Sequence, residues 1–320
     1  MEPNNSVMKL KLEKHMDVKG EEARLISKAI NDVIKEFSMR ARVKKLKKIR
    51  IYITKNPVEV CKKIVMPRVK LTRHSEMREW ICENAPSFSY WEKGLTPTIM
   101  LDANERVFKK KNYEAIEGLF AHELMHLLNK LDGIEDELED ETERAAKNMF
   151  SYLTREKEVK PFTREKLLSS FIRITTSALL FIKDIIANTR AMSFGFDDEL
   201  YENYKIALSG IKEEIKFTDD CIIKTLKKNR MHALDDAFVA YLGLNISWIT
   251  FKMFHNKMYE YLQSMTRIKV PEIIKKQCKP IMKEMLKLRS GSDKKQIAKI
   301  LRLTQQNYFN VLKYYSKKLR

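Results

Sequence analysis

The residues best placed to do chemistry are His122, Glu123 and His126, in the stretch EGLFAHELMHLLNK from 117 to 130. Ile116, Leu119, Phe120, Leu124 and Leu127 recur around them at helical spacing, which predicts an amphipathic helix over 113–130. Positions i and i+4 of a helix sit one turn apart on one face, so both imidazoles can aim a nitrogen at one metal ion. Glu123 is offset to the side, where its carboxylate can hold a metal-bound water rather than the metal. Zinc lowers the pKa of such a water toward ~7, and the carboxylate then takes its proton as the water attacks a carbonyl. The competing reading is a helix with two surface histidines and no metal. His15, His74 and His255 have no partner at ligand spacing.

Catalytic zinc takes three protein ligands and a water, so a third ligand must lie elsewhere. The segment LLSSFIRITTSALLFIKDIIANTRAM is apolar nearly all the way round, which predicts a buried helix from about 164 to 192. Asp184 stands inside it, with Asn188 one turn later on the same face. An ionised carboxylate there needs a charge partner or hydrogen bonds to offset its desolvation. A metal ion would serve, and so would an ion pair with Arg190 or Lys183. Glu143, in ETERAAKN, is the rival ligand, although its acidic surroundings fit a solvated face better. The expected set is one Zn2+ held by His122, His126 and Asp184, with Glu123 as general base. Tyr201, Tyr204 and His232 lie downstream, where one of them can stabilise an oxyanion or simply pack.

The elements that must position these residues are legible in outline. EEARLISKAINDVIKEFSMRA (21–41) predicts an amphipathic helix, and IRIYIT (49–54) alternates as a strand does, ending at Asn56-Pro57. Residues 58–94 give no clear pattern and end in the loop-like NAPSFSYWEKG. TPTIMLD (96–102) is a second strand candidate. Gly133 follows the motif helix as a C-terminal stop, and the densely acidic DGIEDELEDETERAAKNMF leads into a further helix. Beyond about 192 the chain reads as successive helices, with breaks near Gly195, Gly210, Gly243, Pro271 and Gly291. Asp235 and Asp236 sit at an apparent helix start, where acidic residues suit the dipole.

AHELMHLL after a strand candidate, followed by a long helix bearing a carboxylate, resembles the zincin superfamily of zinc metallopeptidases. The resemblance is closest to the gluzincin-like branch with its HExxH motif, and covers roughly residues 45–205. It implies an acidic third ligand on a later helix, and DIIAN echoes the E-x-x-A-D arrangement found there, with Asp for Glu and Asn for Asp. It also implies that the strand before the motif helix, here TPTIMLD, binds extended substrate along its edge. Neither the glycine and third histidine of the metzincins nor a short-spaced NE motif follows His126. The fold class expected is α+β and predominantly helical. A zincin-like catalytic domain with a small β-sheet would occupy residues 1–205, and a helical, basic C-terminal region packed on it residues 206–320.

Composition bounds these readings. Of the 320 residues, 44% are hydrophobic and 33% charged, which favours a folded chain over a disordered one. Only 8 Gly and 8 Pro are present, so long helices and few tight turns are expected. Cys61, Cys82, Cys221 and Cys278 are scattered, which argues for buried reduced thiols and against a cysteine zinc site. No uncharged apolar run of about 18 residues predicts a membrane span, and the N-terminus lacks a secretory pattern, so a cytoplasmic location is expected. The net charge is +19, and residues 266–320 carry 16 Lys/Arg against Glu272, Glu284 and Asp293. That region can meet nucleic acid, anionic lipid or an acidic protein. Ile273, Ile274, Ile281, Met285, Leu288, Ile297, Ile300 and Leu301 recur in it at helical spacing, which favours packed amphipathic helices with solvated Lys faces. Three functions compete: a peptidase acting on peptide or protein substrates, a regulatory or nucleic-acid-associated protein on the same fold, and an interaction module without turnover. An intact Glu123 argues against the last.

Overall fold

The computed structural model describes residues 10–40, 46–65, 87–91, 96–160, 162–211, 213–246, 248–289 and 294–320. His74, Cys82 and the expected break at Gly291 lie outside the described residues. The chain is mostly helical, 71%, with a small mixed sheet, an α+β architecture. Its elements run β1 (Lys11–Met16), α1 (Gly20–Arg40), β2 (Lys48–Thr54), α2 (Pro57–Val60), β3 (Phe88–Tyr90), β4 (Thr98–Asp102), α3 (Arg106–Lys109) and α4 (Tyr113–Leu131). Then follow α5 (Ile134–Leu153), α6 (Arg164–Ser193), α7 (Asp197–Leu208), β5 (Ile215–Lys216), α8 (Asp219–Lys227), α9 (His232–Ile246) and α10 (Phe251–Phe254). Last come α11 (Asn256–Met265), β6 (Ile268–Lys269), α12 (Glu272–Met285) and α13 (Lys294–Lys318).

Two compact units result, Met1–Asp132 with Ala191–Ala207, and Gly133–Arg190 with Leu208–Arg320. One division falls between Ala207 and Leu208, close to the expected 205, and the division not expected assigns Gly133–Arg190 to the unit of the C-terminal helices. The reason is packing: Leu138, Ala145, Phe171 and Ile182 share one apolar cluster with Ile274, Ile281, Ile300 and Leu312.

In the first unit the sheet order is β1-β2-β4-β3. β1, β2 and β4 are parallel, with Lys11 opposite Lys48 and Arg50 opposite Thr98, and β3 lies antiparallel to β4 with Phe88 opposite Met100. Side chains alternate between faces with a period of two. Ile49, Ile51, Ile53, Ile99 and Leu101 are buried on one face. On the other, Tyr52 and Met100 cluster with Cys61, flanked by Phe88 and Tyr90. α4 packs on α1 and against β3 and β4. The sequence had shown no strand at β1, and NAPSFSYWEKG proves to hold a strand rather than only a loop. Both strands are short, and β1 has just two apolar residues (Leu12 and Met16) among its six.

Among its described residues the second unit has one sheet, the two-residue pair β5–β6, and is otherwise built of helices and their connections. Asp235 anchors its core polar network, accepting hydrogen bonds from Ser170 at 2.9 Å and from the Tyr308 hydroxyl. Burial pushes the Asp235 carboxyl above its ordinary range, although these two bonds pull the other way. The pair at the start of α9 is thus structural, with Asp236 bonded to Arg173. His232–Phe254 is long and apolar enough, by length and composition alone, to cross a membrane. Here Leu234, Ala237, Phe238, Leu242 and Ile246 of that stretch join the core cluster. Gly243 lies inside α9 and does not break it. The regular apolar spacing of the C-terminal region is likewise spent on the core, which buries Ile274, Ile281, Met285, Leu288, Ile297, Ile300 and Leu301.

Of the cysteines expected to be buried reduced thiols, Cys278 is one, and Cys221 and Cys61 depart from it. Cys278 is buried and free, Cys221 is exposed and free, and Cys61 is disulfide-bonded. Scattered spacing along a chain does not determine spacing in space, so it could not exclude a bridge.

Candidate metal centre

α4 begins where the Asn112 side chain accepts a hydrogen bond from the Ala115 amide at 2.8 Å, a local N-cap. It ends at Leu131, ahead of Gly133, whose φ of +79° suits a residue without a Cβ. Ile116, Leu119, Phe120, Leu124 and Leu127 are all buried, as their spacing predicts. That burial fixes the rotation of the helix about its axis, and with it the direction of both histidines.

His122 and His126 meet at 3.1 Å between their Nε2 atoms, with ring planes at 84°. Together with Asp184 of α6 they offer three ligand atoms, all within 4.8 Å of one another, and all three residues are half-buried. Two nitrogens bound to tetrahedral zinc at about 2.0–2.1 Å would stand roughly 3.3 Å apart. The histidine pair is therefore already at chelating distance, and a carboxylate completes a nitrogen-and-oxygen donor set that suits zinc. Three protein donors leave a fourth position for water or substrate. Glu123 is buried, one residue beyond the first histidine.

α6 is a single helix of 30 residues, buried at Ile182, Ile185, Ile186, Ala187 and Asn188. Lys183, beside Asp184 in sequence, binds Glu139 at 3.0 Å and Glu135 at 3.3 Å on α5. Burial works to lower the Lys183 pKa, but the two carboxylates outweigh it and hold the ammonium above its ordinary value. The ion pair of Lys183 with Asp184 considered from sequence is thus replaced by pairing to the acidic helix. Glu143, half-buried on α5, does not belong to the ligand group. Of the downstream candidates, Tyr201 and Tyr204 are half-buried on α7 and His232 is exposed at the start of α9.

No spacing in the chain points to the carboxylate group that lies beside the N-terminal half of α4. The Tyr113 hydroxyl donates to Asp32 of α1. Burial pushes the Glu117 carboxyl up to about 7, against the Tyr113 hydrogen bond, with Glu199, Asp32 and Glu114 adding repulsion. Burial also raises Glu199, whose Oε2 is buried with no hydrogen-bond partner among the described residues. These groups come from three remote stretches, so no local spacing could have announced them. The strand TPTIMLD also takes a different place from the one the resemblance implied. It is interior, between β2 and β3, and among the described residues β3 is the edge strand on that side of the sheet.

No protein-family model, no curated protein and no solved structure matches the chain.

Proposed function

We propose that the chain is a zinc-dependent metallopeptidase of zincin-like fold, with His122, His126 and Asp184 as metal ligands and Glu123 as general base. The observation that carries this reading is the convergence of the three ligand atoms within 4.8 Å, beside a buried glutamate. Zinc bound there would supply a positive charge that acidifies water and polarises a substrate carbonyl. Glu123 accepts the proton from the attacking water and can pass it to the departing amine. Holding a structural metal calls for no carboxylate outside the ligand set, whereas activating a metal-bound water calls for a base beside it, which is why hydrolysis is favoured over binding alone. The edge of β3, which packs against α4, offers backbone N–H and C=O groups to which an extended peptide can add as a further strand.

The test uses the full chain and its Glu123→Gln variant, with zinc measured by elemental analysis and turnover measured on a mixed peptide library. The expected result is equal zinc in both proteins and hydrolysis only in the parent, since an amide cannot take the proton. Undiminished turnover in Glu123→Gln would overturn the mechanism. A zinc-loaded parent that cleaves nothing in the library would instead favour the regulatory reading on the same fold.

A further inference from the structure

Helices α12 and α13 carry a feature that the metal centre does not use. At about 100° per residue, Lys276, Lys279, Lys283 and Lys287 fall within an arc of roughly 80° along α12. Ile274, Cys278, Ile281 and Met285, on the opposite side, are buried in the core of the second unit. All four lysines are exposed. Lys276, Lys279 and Lys283 have no ion-pair partner among the described residues. The acid nearest this face, Glu284, is claimed twice, by Lys287 at 2.7 Å and by Lys299 of α13 at 3.0 Å. Those two hydrogen-bonded ammonium groups, Lys287 first, hold its carboxyl below the ordinary range. The Lys299 bridge also ties the exposed faces of the two helices into one surface.

We propose that this face binds the phosphate backbone of double-stranded nucleic acid. From Lys276 to Lys287 the stripe runs about 16 Å along the helix. A duplex presents one negative charge per about 1.7 Å of its axis, so several phosphates lie within reach of a rigid row of point charges. Neither helix has an exposed large hydrophobic side chain. A protein partner would want such an anchor at the centre of its interface. A single strand would want exposed aromatic rings for its bases, whereas Tyr308, Phe309 and Tyr315 of α13 are buried. A lipid surface would want the apolar faces of the helices, and these are already committed to the core. The lysines are set opposite those apolar stripes, so the packed cap and the charged surface are two sides of the same helices.

The test follows binding of the full chain to a labelled DNA duplex of about 20 arbitrary base pairs by fluorescence anisotropy across salt. Four phosphate contacts give a slope of log K against log salt of about −3.6, and Lys276→Gln/Lys279→Gln/Lys283→Gln reduces its magnitude by about 2.7. The control Lys47→Gln/Lys109→Gln/Lys110→Gln removes the same charge from exposed positions elsewhere, and should leave the slope unchanged. Equal loss in the two triple variants would reduce the effect to net charge and overturn the proposal. Polyglutamate or phosphatidylserine vesicles binding as tightly as the duplex would overturn it too, as would a parent chain that shows no salt-dependent binding. The substituted lysines are exposed and unpaired, so an unchanged melting temperature is expected. Should the triple variant fail to fold, Lys283→Gln alone must still shift the slope by about 0.9.

Discussion

Gly118 stands one turn before His122, and its replacement by alanine tests how α4 is held. A Cβ at this position would lie 2.1 Å from the Glu199 carbonyl oxygen, 2.4 Å from its carbon and 2.8 Å from the Leu200 amide nitrogen. All three are backbone atoms of α7, so no rotamer change can relieve the clash. Restoring contact distance requires α7 to retreat by about 1 Å, and the fully buried Leu200 opposes that. Overpacking costs typically 1–3 kcal/mol, and a backbone clash belongs at the upper end. Against it stands about 1 kcal/mol from the better helix propensity of alanine. The net expectation is a loss of about 2 kcal/mol, or a fall of about 4–8 °C in the melting transition of a unit of this size.

Gly243→Ala supplies the contrast. Its Cβ would meet only the Phe181 ring, at 2.9 Å from Cζ and 3.1 Å from Cε1. A half-buried ring can swing aside, so the overpacking and propensity effects nearly cancel, to within about 0.5 kcal/mol. Thermal and urea unfolding of the three full-length proteins, with zinc content measured on each, decides the matter. The expected order puts Gly118→Ala well below the other two and short of metal, because a displaced α4 carries both histidines with it. A Gly118→Ala protein as stable as its parent would refute the reasoning, since only propensity would then be at work.

Asp184→Ala should lower zinc content strongly while Glu143→Ala retains it; the reverse pattern would move the third ligand to α5. Burial, helped by repulsion from Asp102 and opposed by the Ser87 hydrogen bond, pushes the Glu105 carboxyl from 4.5 up to about 7. The folded chain then holds a proton that the unfolded chain has released between those values. Stability should fall as pH rises through that window, by about 3 kcal/mol. Glu105→Gln should flatten that part of the urea-stability profile, and an unchanged slope would exclude Glu105 as its source. Deleting residues 266–320 removes Ile274, Ile281, Ile300, Leu301 and Leu312 from the core of the second unit, so the truncated chain should precipitate. A soluble, zinc-loaded product as stable as the full chain would contradict the packing.

The parts of the fold that could be read from sequence are those where one amphipathic period decides the outcome. α1, α4 and α6 fall within a residue or two of the stretches marked out by their apolar spacing. β2 and β4 were readable because their alternating faces are both buried near their centres. β1 and β3 were not, since an edge strand of three to six residues is fixed by its partner's backbone more than by its own side chains. The His122–His126 pair was legible because one helical turn relates it. The assignment of Gly133–Arg190 to the C-terminal unit was not, because it depends on which remote helices share a core, and Leu138 and Ile300 say nothing of each other in sequence.

The pair Lys183-Asp184 shows how a candidate ligand can be separated from a structural ion pair. In sequence the two charges stand side by side in an apolar helix, and mutual neutralisation is the simplest account of both. Adjacent residues on a helix point about 100° apart, however, so they need separate solutions. Lys183 finds its own in Glu135 and Glu139, two members of an acidic run that composition alone assigns to solvent. Once two carboxylates satisfy that ammonium, the lysine no longer accounts for the aspartate. An Asp184 carboxylate oxygen and one nitrogen of each imidazole lie within 4.8 Å of one another. A divalent cation shared by the three would bind both imidazoles and the carboxylate at once. The acidic helix α5 thus bears on the metal proposal without providing a ligand: its Glu135 and Glu139, rather than Asp184, pair with Lys183.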